Sequence, residues 1–165
     1  MIKYLFYIFL ASISFSQIQQ DGYPKYFDSS PDINIQYITV NQEEQINRDF
    51  HPMVFKFGEE YNVDVRFLDE AMVIIEDDTY TFILGLSSLN AYGIGINFNN
   101  FFLTENAELY FYDRERTTFL GSLTSSNNKS SGNLTTSIIK GSDIIIELNV
   151  PQSEISKIRL TIDSI

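Results

Sequence analysis

The stretch Ala107-Glu108-Leu109-Tyr110-Phe111-Tyr112-Asp113-Arg114 decides the fold class. Leu109 and Phe111 point one way from an extended chain, and Glu108 points the other way, because successive side chains of a β-strand alternate between its two faces. Asp113 and Arg114 then end the apolar run with a polar turn signal. The stretch therefore predicts a short strand with one face in a core.

Similar short segments occur on both sides of this stretch, each bounded by polar turn residues. They lie at 63–67, 72–75, 80–84, 94–98, 119–124, 134–139, 144–150 and 155–162. After residue 50 the chain has no apolar stripe with the 3.6-residue period of a helix. Many short strands with regular turns are typical of an all-β fold. We expect an antiparallel β-sandwich, similar to a jelly roll.

The N-terminal part of the chain has a different composition. Residues 1–16 have a basic start, the apolar run Tyr4–Phe15 and small residues at positions −3 and −1 of a cleavage before Gln17. This is the pattern of a signal peptide, and the run is too short to span a bilayer as a helix. We expect secretion to the periplasm or the extracellular space. Residues 17–50 then form an extended lead-in with one strand at 33–40, and residues 51–165 form the β-sandwich domain.

Composition excludes several functional classes. The 165 residues carry a formal net charge of −11, which disfavours binding to nucleic acid and to anionic membrane surfaces. The chain has no Cys, so it can form neither disulfides nor thiolate zinc sites. Hydrophobic residues make up 44% of the chain, enough for the core of one domain. The core alone must therefore stabilise the fold.

The sequence has few residues suited to catalysis. His51 is the only histidine, and no Ser stands in a Gly-x-Ser-x-Gly motif. Glu76, Asp77 and Asp78 could ligate calcium, but they lack the alternating spacing of a calcium loop and favour a solvated turn. A pair of carboxylates for glycoside hydrolysis is the remaining enzymatic alternative. The sequence thus favours a non-catalytic chain with no cofactor and no bound metal.

An aromatic cluster leaves two interpretations open. Its rings could fill the core and its rim, or they could form an exposed platform on which a sugar stacks. In the second case Tyr110 and Tyr112 are the candidate ligand-binding residues. The cluster comprises Phe98, Phe101, Phe102, Tyr110, Phe111 and Tyr112.

An ordered series of motifs carries a resemblance to a known family. The series runs His51–Gly58, Ala107–Asp113, Phe119–Thr124 and Ile139–Pro151, within about residues 24–162. It resembles the N-terminal, pre-protease region of bacterial lysyl endopeptidases and related trypsin-like secreted serine proteases. The family usually begins one strand with Trp-Arg-Leu, where this chain has Tyr80-Thr81-Phe82-Ile83-Leu84.

In that family the region lies between the signal peptide and the serine protease domain. The catalytic His, Asp and Ser belong to the protease domain, and none has a counterpart here. The resemblance therefore implies a non-catalytic accessory or pro-region domain, whose partner is a trypsin-like protease domain in cis or in trans. The alternative is an exported module that binds carbohydrate or a surface. Whether a protease domain follows in a longer protein stays open.

Overall fold

The computed structural model describes residues 21–28, 34–40 and 58–165. Within these ranges the chain is mostly β-structure, which confirms the predicted all-β class. The strands are β1 (Tyr37–Val40), β2 (Asn62–Arg66), β3 (Met72–Glu76), β4 (Thr79–Ser88), β5 (Gly93–Ile94), β6 (Asn97–Phe102), β7 (Glu108–Asp113), β8 (Phe119–Leu123), β9 (Leu134–Thr135), β10 (Ile139–Lys140), β11 (Asp143–Pro151) and β12 (Arg159–Ser164). One helical turn, α1 (Phe67–Glu70), and two 3₁₀ turns, Ser125–Asn127 and Gln152–Lys157, interrupt them.

The strands form two main sheets. The six-stranded sheet has the order β1-β4-β11-β7-β8, with β3 also paired to β4. Strand β11 pairs antiparallel with β4 from Asp143 opposite Ser87 to Pro151 opposite Thr79. The other edge of β4 is shared by β3, which is antiparallel, and β1, which is parallel. The second sheet has the order β2-β12-β6-β9, and β5 and β10 form a separate short pair.

Both sheets contribute side chains to one continuous buried cluster. Alternate residues of β4 and β11 pack there against residues of β6 and β12, as expected from the two-residue period of a strand. Phe111 of β7 is fully buried, and its ring lies 6.2 Å from that of Phe98. Members from the four strands include Phe82, Leu84, Leu86, Ile144, Ile146, Leu148, Phe98, Phe101, Leu160 and Ile162.

The six-stranded sheet also buries side chains on its opposite face. There Ile83, Tyr110, Tyr112 and Ile145 form a second cluster with Phe27, which comes from the N-terminal part of the chain. Because β4 and β11 are covered on both faces, their central residues are almost all buried. Such two-sided burial explains the nearly continuous apolar run at 144–150.

The N-terminal predictions are only partly covered by the described residues. The structure has a strand inside the expected range 33–40, at Tyr37–Val40. Residues 1–16, the predicted signal peptide, and His51 lie outside the described residues. At the other end, the expected strand at 155–162 begins only at Arg159, because a 3₁₀ turn occupies Gln152–Lys157. Within the described residues, no helix is both long and apolar enough to cross a membrane.

Candidate functional site

A cleft of about 770 Å³ lies beside the β5–β10 pair. We call it the end cleft. Its walls come from four distant parts of the sequence, which the fold brings together: residues near 59–61, 88–97 and 135–138, and Ile165. Clefts of this size that combine apolar walls with a few polar groups are the usual places for ligand binding.

Two strongly exposed apolar side chains lie at the end cleft. Tyr92 is 97% exposed and Ile138 is 77% exposed, which makes them the two most exposed large hydrophobic side chains of the described residues. Both line the cleft. An exposed apolar group adjoining a concave surface indicates a binding site more strongly than the same group alone on a convex surface.

Local backbone features place these two side chains. Asn90 has a left-handed backbone with φ of 64°, which turns the chain before Tyr92. Gly93 pairs with Lys140, and a Cβ on Gly93 would lie 2.5 Å from Cγ2 of Ile138 and 3.0 Å from the main-chain oxygen of Ile139. A side chain at position 93 would displace Ile138 and press on the main-chain oxygen of Ile139, so glycine allows Ile138 to lie this close.

A chain of hydrogen bonds forms one wall of the end cleft. The hydroxyl of Thr135 donates to Asn97 at 2.8 Å, and the amide of Asn97 donates to the hydroxyl of Ser164 at 3.0 Å. Ser164 donates in turn to Glu60 at 2.7 Å. These contacts hold the wall in place, and Thr135, Asn97 and Glu60 all line the cleft.

Tyr61 is a titratable group of the end cleft whose pKa is shifted. The pKa of Tyr61 is raised, first by its hydrogen bond to Glu59 and then by burial. Tyr61 therefore keeps its proton near neutral pH and donates it to Glu59. Among the described residues, no group of three or more His, Cys, Asp or Glu side chains is placed to hold a metal ion.

The structure buries Tyr110 and Tyr112, the two candidate ligand-binding residues. Both rings are fully buried on the face of the six-stranded sheet that carries the second cluster with Phe27. We call this face the outer face. The hydroxyl of Tyr112 donates to Glu147 at 3.0 Å and that of Tyr110 donates to Glu108 at 3.1 Å. Burial, followed by the charge of these carboxylates, raises both pKa values. A stacking platform needs exposed rings, so ligand binding by these tyrosines stays a prediction that requires the residues above them to move.

The remaining members of the aromatic cluster divide between core and surface. Phe98, Phe101 and Phe111 belong to the buried cluster between the sheets, and Phe102 lies half-buried beneath the guanidinium of Arg159 at 4.5 Å. The interpretation of the cluster as core and rim therefore fits these four residues.

Glu147 was not among the residues predicted to be functional. It lies in the middle of β11 and is completely buried, although carboxylates are rarely buried without a partner. The signal in the sequence was a single acid within the apolar run 144–150. Its partners could not be read from the sequence, because they come from residues more than a hundred positions away and from a neighbouring strand.

The acidic triplet Glu76, Asp77 and Asp78 forms an exposed turn, as predicted. Glu76 pairs with Thr79 across a two-residue hairpin loop, and Asp77 has a φ of 53°. A positive φ is typical of the tight turns that join antiparallel strands, and Asp accepts it more readily than most residues do.

Comparison with known proteins gives no relative for this chain. No family model matches it, no curated protein matches it, and no solved structure matches it. What the chain binds must therefore be inferred from the end cleft and from the surfaces that the fold forms.

Proposed function

We propose that this chain is an exported, non-catalytic β-sandwich domain whose end cleft docks a partner protein. The observation that carries the proposal is that Tyr92 and Ile138, both strongly exposed, line one concave surface. Aromatic and aliphatic side chains that project into solvent at the centre of a surface are typical anchors of protein interfaces. The buried cluster shared by the two sheets supports the sandwich arrangement.

The partner class follows from charge and from the sequence resemblance. Glu59 and Glu60 line the end cleft, and the whole chain has a net charge of −11. An acidic surface favours a partner with a basic patch and accelerates its association. The resemblance of 107–113 and 139–151 to the pre-protease region of lysyl endopeptidases supports a trypsin-like protease domain as this partner. The two domains meet in cis or in trans.

The test is a binding measurement with cleft variants. A catalytically inactivated lysyl endopeptidase domain serves as the probe, and calorimetry measures its affinity for the purified chain. We expect Tyr92→Ala to weaken binding at least about tenfold, the scale of one anchor residue. Ile75→Ser is the matched control, because Ile75 is 58% exposed on β3 and does not line the cleft. Equal affinities for both variants, or no binding by the wild-type chain, would contradict the proposal.

The same protein also tests the non-catalytic assignment. Purified chain should cleave no peptide substrate that carries Lys or Arg. Turnover that persists through repeated purification, and that is lost when a residue of the end cleft is replaced, would contradict it.

A second candidate is carbohydrate binding, which one feature of the end cleft favours. The exposed ring of Tyr92 lies in the same cleft as the amides of Asn90 and Asn97 and the hydroxyl of Thr135. Sugars bind by stacking on a ring and by hydrogen bonding to such groups. Electrophoresis in gels that contain polysaccharide distinguishes the two candidates: retardation that Tyr92→Ala abolishes supports a sugar ligand.

A further inference from the structure

Residues 21–28 cover the outer face of the six-stranded sheet, and we call them the covering segment. It forms no strand, and both main-chain hydrogen bonds described from it to the sheets end on one side chain. The N–H of Lys25 donates to Oε1 of Glu147 at 2.7 Å, and the N–H of Tyr26 donates to Oε2 at 3.2 Å. The carboxylate of one side chain thus accepts hydrogen bonds from two adjacent N–H groups, whereas in strand pairing the acceptors are main-chain carbonyls.

Aromatic side chains of the covering segment fill a site that the sheet provides. The ring of Phe27 meets that of Tyr112 at 5.5 Å and that of Phe119 at 5.3 Å, both edge to face. Tyr23 meets Phe119 in the same way at 5.4 Å. Edge-to-face contacts stabilise aromatic pairs beyond the burial of their surface. The sheet therefore offers aromatic rings, those of Tyr112 and Phe119, against which the rings of the covering segment pack.

Two further contacts set the position of the covering segment. The hydroxyl of Tyr26 donates to Glu76 at 2.9 Å, and Nζ of Lys25 lies 3.7 Å from the same carboxylate. At the other end, Gly22 lies directly against the hydroxyl of Tyr110 and beside Ser122. A side chain at position 22 would collide with the hydroxyl of Tyr110, so the site favours glycine as long as that hydroxyl is present.

We propose that the outer face of the six-stranded sheet is a peptide-binding site for residues 22–28, and that this segment of a second copy of the chain can occupy it. Exchange of the two segments then gives a dimer. Every contact described above joins the segment to Glu147, Tyr112, Phe119 or another residue at least 48 positions away, so a second copy offers the same contacts.

The covalent connection permits this exchange. Strand β1 moves with the covering segment, and its parallel pairing is then made with β4 of the other copy. Residues 41–57 connect β1 to Gly58, and a chain of that length can span up to roughly 60 Å when extended. A domain of this size has a radius of gyration of only about 15 Å. The segment of one copy can thus reach the sheet of another. Tethering gives the chain's own segment an effective concentration on the order of millimolar, and the segment of a second copy must compete with it. Exchange therefore increases with protein concentration, and also when two chains are refolded together.

Engineered cysteines test the exchange directly, because the natural chain has no Cys. A Cβ built on Gly22 lies 3.1 Å from Oγ of Ser122, close to the separation of about 3 Å between a Cβ and the distal sulfur of a disulfide. We would prepare one chain with Gly22→Cys and another with Ser122→Cys. Both also carry Tyr110→Phe, which removes the hydroxyl that would meet Cys at position 22. The two chains are mixed, refolded together from urea and oxidised with glutathione.

The expected product is a covalent heterodimer in which mass spectrometry finds positions 22 and 122 linked. The matched control mixes the Gly22→Cys chain with an otherwise identical partner that carries Ser156→Cys, an exposed position on the 3₁₀ turn Gln152–Lys157. A heterodimer yield no higher than in this control, with efficient closure when both cysteines are in one chain, would overturn exchange between copies. Failure of that single chain to close would overturn the site itself.

A peptide measurement tests the site without cysteines. A fluorescent peptide of residues 21–28 is titrated into the wild-type chain and into Phe27→Ala, which weakens only the chain's own segment and leaves the sheet unchanged. We expect the peptide to bind Phe27→Ala at least tenfold more tightly than wild type. Equal binding to both chains, or binding to neither, would overturn the proposal.

Discussion

Replacing Glu147 by Gln keeps the shape of the side chain and removes part of its hydrogen bonding. The carboxylate accepts from the main-chain N–H groups of Lys25 and Tyr26, from the hydroxyl of Tyr112 at 3.0 Å and from the amide of Asn149 at 2.9 Å. These contacts divide equally between the two carboxylate oxygens. A Gln amide has one acceptor oxygen, and its NH₂ group would face two donors.

The magnitude follows from this count. A hydrogen bond to a charged acceptor contributes about 1.5–3 kcal/mol, so two lost bonds correspond to roughly 3–6 kcal/mol. Part of this loss is offset, because a neutral amide costs less to bury than a carboxylate. We expect the free energy of unfolding of Glu147→Gln to fall by about 1–3 kcal/mol, the scale of one such bond.

Two measurements check this expectation. Urea unfolding followed by circular dichroism gives the change in stability. Hydrogen exchange should show the amides of Lys25 and Tyr26 exchanging about 10- to 100-fold faster, since each 1.4 kcal/mol is a factor of about ten. Glu108→Gln is the matched control, because Glu108 is half-buried on the same sheet face, where it accepts from Tyr110. Unchanged exchange in Glu147→Gln, or an equal effect in Glu108→Gln, would refute the reasoning.

Three further predictions concern the core and two titratable groups. Phe111→Ala should lower the free energy of unfolding by about 3–5 kcal/mol with an unchanged urea m-value, because it leaves a cavity in the core. Burial tends to raise the pKa of Asp113, but hydrogen bonds from Thr118 and Thr117 outweigh it and lower that pKa. Asp113→Asn should therefore cost about 1–3 kcal/mol at neutral pH, and the difference from wild type should vanish in acid as the wild-type carboxylate is protonated. Burial and the hydrogen bond to Glu76 raise the pKa of Tyr26 from 10.0 to about 12, so the free energy of unfolding should fall as the pH rises through that range. Tyr26→Phe should show a smaller fall. Its near-ultraviolet absorbance should show one fewer tyrosine that titrates at high pH.

The strands of the six-stranded sheet were largely predictable from sequence. The alternation of side chains in 80–84 and in 107–114 is a local property of the chain. Successive side chains of a strand point to opposite faces, whatever packs on those faces. The turns were equally local: Gly141 has a φ of +116° between β10 and β11, where the sequence has Lys-Gly-Ser-Asp. Strand order and the parallel pairing of β1 with β4 were not predictable, because both depend on contacts between distant residues.

The sites were much less predictable than the strands. Alternation assigns Tyr110 and Tyr112 to one face of β7, yet whether that face meets water depends on the covering segment, which lies more than eighty positions earlier. The end cleft likewise joins Glu60, Thr135 and other residues that no local pattern connects.

The amino-acid sequence by itself determined the all-β class, the positions of most strands and turns, the net charge of −11 and the absence of cysteine chemistry. These properties follow from side-chain alternation, backbone preferences and charge, which act within a few residues. Only the tertiary structure decided that Glu147 is buried beneath main-chain N–H groups, that the two tyrosines are covered, and that Tyr92 and Ile138 border one cleft. The physical reason is that burial and hydrogen-bond partners are set by which distant segments pack together.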